Sequence, residues 1–202
     1  MGTVAIVDYG VGNLKSVANA LSYLGCSSCI PADPAELERA DAIILPGVGA
    51  FPDAADRLRS GGLDQHVLAQ GQKKPVLGIC LGMQLLLEQG REVRPCPGLG
   101  VIRGTVDRIP TQSKLPHIGW NSLRFFHHSP LFRGLDEGAY VYFVHSFSAQ
   151  DTDPAQVIAV TDYGPAVTAA VSSGNFYGTQ FHPEKSGEVG LTILRNFAGL
   201  NC

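Results

Sequence analysis

The stretch 76-VLGICLGMQLL-86 sets a cysteine between two glycines where an apolar run gives way to a helical pattern. Packing alone gives a cysteine no need for glycine two residues away on either side. A strand that turns sharply into a helix does. Such a turn forces its central residue into a strained backbone conformation and brings the residues two before and two after it together, so side chains at Gly78 and Gly82 would clash. Read this way, G-x-C-x-G is a nucleophile elbow with Cys80 in the place of serine. The thiol then stands at the start of a helix predicted over LGMQLLLEQ, residues 81–89. The helix dipole there favours the thiolate, and free N–H groups beginning with that of Leu81 can stabilise an oxyanion. The bland alternative is a buried cysteine flanked by packing glycines.

The neighbouring segments supply the strand–helix context. TVAIVD (3–8) reads as a buried strand, and Leu14, Val17, Ala18, Leu21 and Leu24 form the stripe of a helix that Asn13 or Gly12 can cap and Gly25 can end. SSCI and DAIIL are further strands, helices are predicted near 51–60 and 63–72, and PVLGI (75–79) is the strand that leads into Cys80. This alternation predicts an α/β protein with a parallel core. The second half is richer in strands: GTVDRI, SLRFF, AYVYFVHSF, QVIAVT, AVTAAVS and FYGTQF, with a closing helix in VGLTILRNFAG. No repeat or linker divides the chain. The predicted architecture is one three-layer domain over residues 1–202, a mixed, mainly parallel central sheet with helices on both faces.

Composition removes several function classes. A chain of 202 residues with net charge −3 can bury a sizeable core and has no basic field for nucleic acid or an anionic membrane. The first apolar run ends at Asp8 without a basic leader, and no later run is long enough to span a bilayer, so a soluble cytoplasmic protein is expected. Five cysteines are too few for a disulfide scaffold. Cys26 and Cys29 form a C-x-x-C, but it follows a helical pattern instead of opening one, and reads as two small residues entering a strand. No His, Cys, Asp or Glu spacing matches a metal site, and no cofactor is expected.

A cysteine nucleophile needs a base. GTQFHPEKS (178–186) places His182 at the carboxyl end of a predicted strand, where sites form in open α/β sheets and where Cys80 also stands. Pro183 biases His182 toward an extended backbone, in which Glu184 projects to the same side and can orient the imidazole. Cys80, His182 and Glu184 make a triad assembled from segments about a hundred residues apart. LPGVGAF (45–51) follows the strand DAIIL, and its glycines let backbone N–H groups point into a cleft as further oxyanion donors.

GICLGMQLL, GTQFHPEKS and LPGVGAF together resemble the class I (triad) glutamine amidotransferases, whose fold is flavodoxin-like. VDYGVGNLKSV, LPHIGWN and YFVHSF narrow the resemblance to the branch that provides glutaminase subunits of imidazole glycerol phosphate synthases; the triad alone also fits glutaminases that feed other synthases. The resemblance implies Cys80 as nucleophile, His182 as general base and acid, and Glu184 as the residue that orients it. It implies Gly47, Val48 and Gly49 as a mobile oxyanion strand opposite the Leu81 N–H, and Gln84, His145 and Ser146 as holders of the glutamine substrate. It places Asn13, Trp120, Asn121, Tyr142 and Lys185 on the side that faces a partner. That partner is a cyclase subunit, a (β/α)8 barrel forming a heterodimer with the glutaminase and using its ammonia to make imidazole glycerol phosphate and an aminoimidazole carboxamide ribotide in histidine biosynthesis.

Overall fold

Val76–Cys80 is buried at every position, as a strand covered on both faces must be. In the computed structural model, which describes residues 2–200, it is the fourth strand of a chain that runs β1 (Thr3–Ile6), α1 (Leu14–Tyr23), β2 (Ser27–Cys29), β3 (Ala42–Gly47), α2 (Phe51–Ser60), α3 (Leu63–Gly71), β4 (Val76–Cys80), α4 (Leu81–Leu85). The second half continues with β5 (Leu87–Gly90), β6 (Cys96–Pro97), β7 (Ile102–Arg108), β8 (His117–Ser122), β9 (Arg124–Phe125), β10 (Tyr140–His145) and β11 (Phe147–Gln150). It ends with β12 (Val157–Asp162), β13 (Ala166–Ser173), β14 (Phe176–Thr179) and α5 (Gly187–Ala198). Cys202 lies outside the described residues.

The main sheet has eight strands in the order β2-β1-β3-β4-β14-β13-β12-β9. From β2 to β14 all pairings are parallel, and the last three are antiparallel. Strand alternation divides the core in two. Val4, Ile6, Ile44, Leu77 and Ile79 face one layer, where Leu21 of α1 and Leu194 and Phe197 of α5 pack. Ala5, Ile43, Leu45 and Val76 face the other, with Phe51 and Leu58 of α2, Val67 of α3 and Met83 of α4. Helices therefore cover both faces, as the strand–helix alternation predicts. A four-stranded sheet, β11-β7-β5-β6, and a two-stranded ribbon, β8 with β10, flank this core.

Three predicted elements differ. The helix after Cys80 ends at Leu85 instead of reaching 89, because its last carbonyls are taken by the returning chain: Leu99 N–H donates to Leu85 O (2.7 Å), and the N–H groups of Val101 and Ile102 donate to Leu86 O (3.0 Å each). Residues 87–90 then pair with β7 as a strand. The predicted continuous strand AYVYFVHSF breaks at Ser146, where the chain leaves β8 (His145 opposite His117) and joins β7 (Phe147 opposite Arg108). SLRFF (122–126) is split: Ser122 ends β8, which HIGWNS forms although no strand is predicted there, and Arg124–Phe125 forms β9.

Asn13 caps α1 through its Oδ1, which accepts from Ser16 N–H at 3.3 Å. Cys26 is buried behind that helix, and Cys29, Cys80 and Cys96 are free thiols. Among the described residues no helix is long and apolar enough to cross a membrane.

Candidate active site

Cys80 closes β4 with φ +55° and ψ −107°, a strained conformation for a residue with a side chain. The flanking glycines each answer to a different neighbour. A Cβ on Gly78 would stand 2.5 Å from the carbonyl oxygen of Gly82, which is the crowding predicted across the turn. A Cβ on Gly82 would instead overlap the carbonyl of Leu45 in β3, so this glycine serves the adjacent strand. The helix that follows is only five residues long, which leaves less dipole at Cys80 than the predicted nine-residue helix would.

β14 lies parallel to β4, with Thr179 opposite Ile79, and so carries His182 to the same sheet end as Cys80. His182 N–H donates to Tyr142 O (3.0 Å), and its carbonyl accepts from Ser186 Oγ (2.6 Å). Pro183–Lys185 is a 3-10 turn, so Glu184 swings back within a turn and not along an extended strand; its Oε1 lies 2.8 Å from His182 Nδ1. Both side chains are almost fully enclosed, 2% and 1% exposed. A carboxylate only accepts, so Nδ1 carries a proton and Nε2, buried without a hydrogen bond of its own, is the free end of the ring. Burial by itself would lower the His182 pKa. The charges of Cys80 and Glu184, with the hydrogen bond from Nδ1 to Glu184, overcome it and raise the pKa to about 9. The ring stands between the charges of a sulfur and a carboxylate.

Cys80 and His182 open on a cavity of about 370 Å³, within the range of small-molecule sites. Val48, Gly49, Leu81, Gln84, His145, Ser146 and Lys185 line it with them. Gly47 does not. It pairs with Cys80 in register, and a Cβ there would meet the Tyr9 hydroxyl at 2.6 Å. Gly49 has φ +108° and open space around its Cα, the latitude a mobile segment needs.

Two residues at the site lie outside the sequence expectations. Gln180, fully buried, donates from Nε2 to Cys80 Sγ (3.7 Å) and accepts at Oε1 from Gln84 Nε2 (3.1 Å). Its position two residues before His182 was the available signal. Glu92 lines the cavity and accepts from Phe51 N–H at 2.8 Å; it sits in a loop without periodicity, and nothing local marks it.

The predicted partner-facing residues divide. Trp120 and Tyr142 are cross-strand neighbours on the outer face of the β8–β10 ribbon, ring centroids 6.2 Å apart, beside exposed Ile118 and Tyr140. Asn121 lies on the opposite face, its amide donating to Asp162 O. Asn13 is engaged at its helix cap, and Lys185 is exposed at the cavity rim.

The profile of the family described as "Glutamine amidotransferase class-I" matches residues 5–199. The chain belongs to the class I glutamine amidotransferases. It is similar to the protein named "Imidazole glycerol phosphate synthase subunit HisH" of Bacillus cereus strain ATCC 14579, 48% identical over 200 residues that cover 98% of this chain and 94% of that one. The Bacillus anthracis strain CDC 684 protein of the same name is 45% identical at the same coverages. Among solved structures, PurLQS from Thermotoga maritima aligns with TM-score 0.74, 20% identity and 98% coverage of each chain, a likeness that speaks for the fold.

In a glutamine amidotransferase this arrangement suits amide hydrolysis: a sulfur at a strained turn, an oriented imidazole with one free nitrogen, and a cavity that also holds a carboxylate.

Proposed function

We propose that this class I glutamine amidotransferase is the glutaminase subunit of an imidazole glycerol phosphate synthase in histidine biosynthesis. The observation that carries the reading is the identity of 48% across nearly the whole chain to a protein of that name. The enclosed His182–Glu184 pair beside Cys80 supports the chemistry.

The Cys80 thiolate attacks the side-chain carboxamide carbon of glutamine while His182 holds the proton. The charge that develops on oxygen is met by backbone N–H groups of Leu81 and the Gly47–Gly49 segment, of which Val48 and Gly49 line the cavity. The C–N bond breaks as His182 Nε2 gives its proton to the leaving nitrogen. Ammonia departs and a glutamyl thioester remains. His182, now neutral, takes a proton from water, the hydroxyl attacks the thioester, and glutamate leaves with the sulfur restored. Glu184 keeps Nδ1 protonated throughout and steadies the imidazolium. Gln84, His145, Ser146 and the Glu92 carboxylate hold the amino-acid end of the substrate, with Glu92 facing its ammonium.

The partner is a cyclase subunit with a (β/α)8 barrel that binds as a heterodimer, takes the ammonia and makes imidazole glycerol phosphate and the aminoimidazole carboxamide ribotide. The outer face of the β8–β10 ribbon, with Trp120 and Tyr142, is the surface offered to it. Residues 1–202 act as one amidotransferase unit in the cytoplasm, a compartment suited to the free thiols. The test is the Cys80→Ala variant in complex with the cyclase. It should keep ammonia-fed synthesis and lose glutamine-fed synthesis; retention of the glutamine-fed reaction would reject the assignment.

A further inference from the structure

Two buried histidines outside the triad form a chain of hydrogen bonds that admits one arrangement of protons. His145 Nδ1 lies 2.8 Å from Phe147 O, and a carbonyl only accepts, so that nitrogen bears hydrogen. His145 Nε2 lies 3.1 Å from His117 Nδ1. His117 Nε2 lies 3.3 Å from the amide nitrogen of Asn121, which only donates. The orientation of that amide is fixed independently: Asn121 Oδ1 accepts from Ser122 N–H at 2.8 Å, and Nδ2 donates to Asp162 O at 2.9 Å. His117 Nε2 must therefore be bare and its Nδ1 protonated, and His145 Nε2 must be bare to receive it. Both rings are neutral Nδ1–H tautomers. Burial lowers the pKa of both, that of His145 to about 4, in keeping with this assignment. His117 is also held in plane between Tyr163 (centroids 3.9 Å) and Phe143 (4.7 Å).

The chain ends in the cavity. Phe147 O accepts from His145 and also from Gln84 Nε2 at 3.0 Å, while the other Gln84 N–H goes to Gln180. Both Gln84 donors are thus spent inward, and its Oε1, which has no hydrogen-bond partner among the described residues, is left as an acceptor in the cavity. A substrate with an ammonium and a carboxamide NH2 needs acceptors.

We infer that His117 is a positioning residue for glutamine, which locks His145 with its hydrogen on Nδ1 and through the Phe147 carbonyl sets the direction of the Gln84 amide. Asn121 enforces the lock from the far end. This rests on the glutaminase reading for its substrate but not for its proton arrangement.

The test has two arms. Long-range nitrogen–proton spectra of the histidine-labelled chain near neutral pH should show His117 and His145 as neutral Nδ1–H rings. Either ring charged, or protonated on Nε2, overturns the inference. In the second arm the complex with the cyclase is treated with the diazoketone analogue of glutamine, and alkylation of Cys80 is followed by mass spectrometry. His117→Phe keeps the stacking and loses both hydrogen bonds. It should raise the half-saturating concentration about tenfold with a limiting rate within about threefold of wild type. His117→Asn, whose amide nitrogen can stand where ring Nδ1 stood, should restore it. Equal half-saturation in wild type and the Phe variant overturns the inference. Absence of labelling in the wild type counts against the glutaminase reading instead, and the spectra still decide the proton arrangement.

Discussion

The side-chain amide of Gln180 lies 3.7 Å from the sulfur of Cys80 and is oriented by Gln84, which donates to its other end. The contact therefore presents an N–H donor to the sulfur. Replacing Gln180 with Met keeps the volume and removes the donor. Hydrogen bonds to charged groups are worth about 1.5–3 kcal/mol, so glutamine turnover by the complex should fall roughly 10–100-fold. Alkylation of Cys80 by iodoacetamide, read by mass spectrometry at fixed pH, should slow with it. An unchanged alkylation rate would show that the amide only fills space.

Glu184 should set the alkaline edge of activity. The His182 pKa stands near 9 because the hydrogen bond to Glu184 and the charges of Cys80 and Glu184 outweigh burial. The leaving ammonia needs the proton on Nε2, so kcat/KM should fall as pH rises through about 9. Glu184→Gln removes one of the raising influences. Its pH profile should lose activity at lower pH than the wild type, and its maximum should drop by about 10²-fold or more, since the ring also loses its orientation. A profile with the same alkaline edge would mean that another group sets it.

How far the site was legible depends on how local its causes are. The elbow could be read because Gly78, Cys80 and Gly82 carry their reason within five residues, although the neighbour that forbids a side chain at Gly82 is Leu45, from another strand. The sheet core was legible because buried parallel strands are written as apolar runs. The helix after Cys80 is shorter than its pattern: the apolar run continues to Leu87, and only the returning segment 99–102 captures its carbonyls. The two roles of β10 and β11, split at Ser146, depend on pairing with β8 and β7, which no local pattern encodes. Glu92 and His117 become visible only when distant segments are brought together.

Trp120 is 55% exposed and edge-on to Tyr142, on a ribbon face with little to cover it. Large aromatics in that position are typical anchors of an interface. Trp120→Ala should weaken association with the cyclase about 10–100-fold, measured by titration calorimetry, and leave thermal unfolding of the isolated chain nearly unchanged. Equal affinity in the two proteins would move the contact surface elsewhere.

His145 should make the fold sensitive to mild acid. Burial leads the depression of its pKa to about 4, the charges of His117 and His182 add to it, and its bond to Phe147 O only partly opposes it. In the unfolded chain the same ring titrates near 6.5. Between those values the unfolded state binds a proton that the folded state refuses, so stability rises with pH across the window and is lost as pH falls from about 6.5 toward 4. Integrated over the window this is on the order of 3 kcal/mol. His145→Gln removes the titration. The variant starts less stable because the bond to His117 is disturbed, but the difference between wild type and variant should shrink as pH is lowered through the window and stay flat above it. Urea unfolding at a series of pH values measures that difference directly. A constant offset at every pH would mean that His145 accepts its proton in the folded state as readily as in the unfolded one, against the enclosed position it occupies between β8 and the cavity.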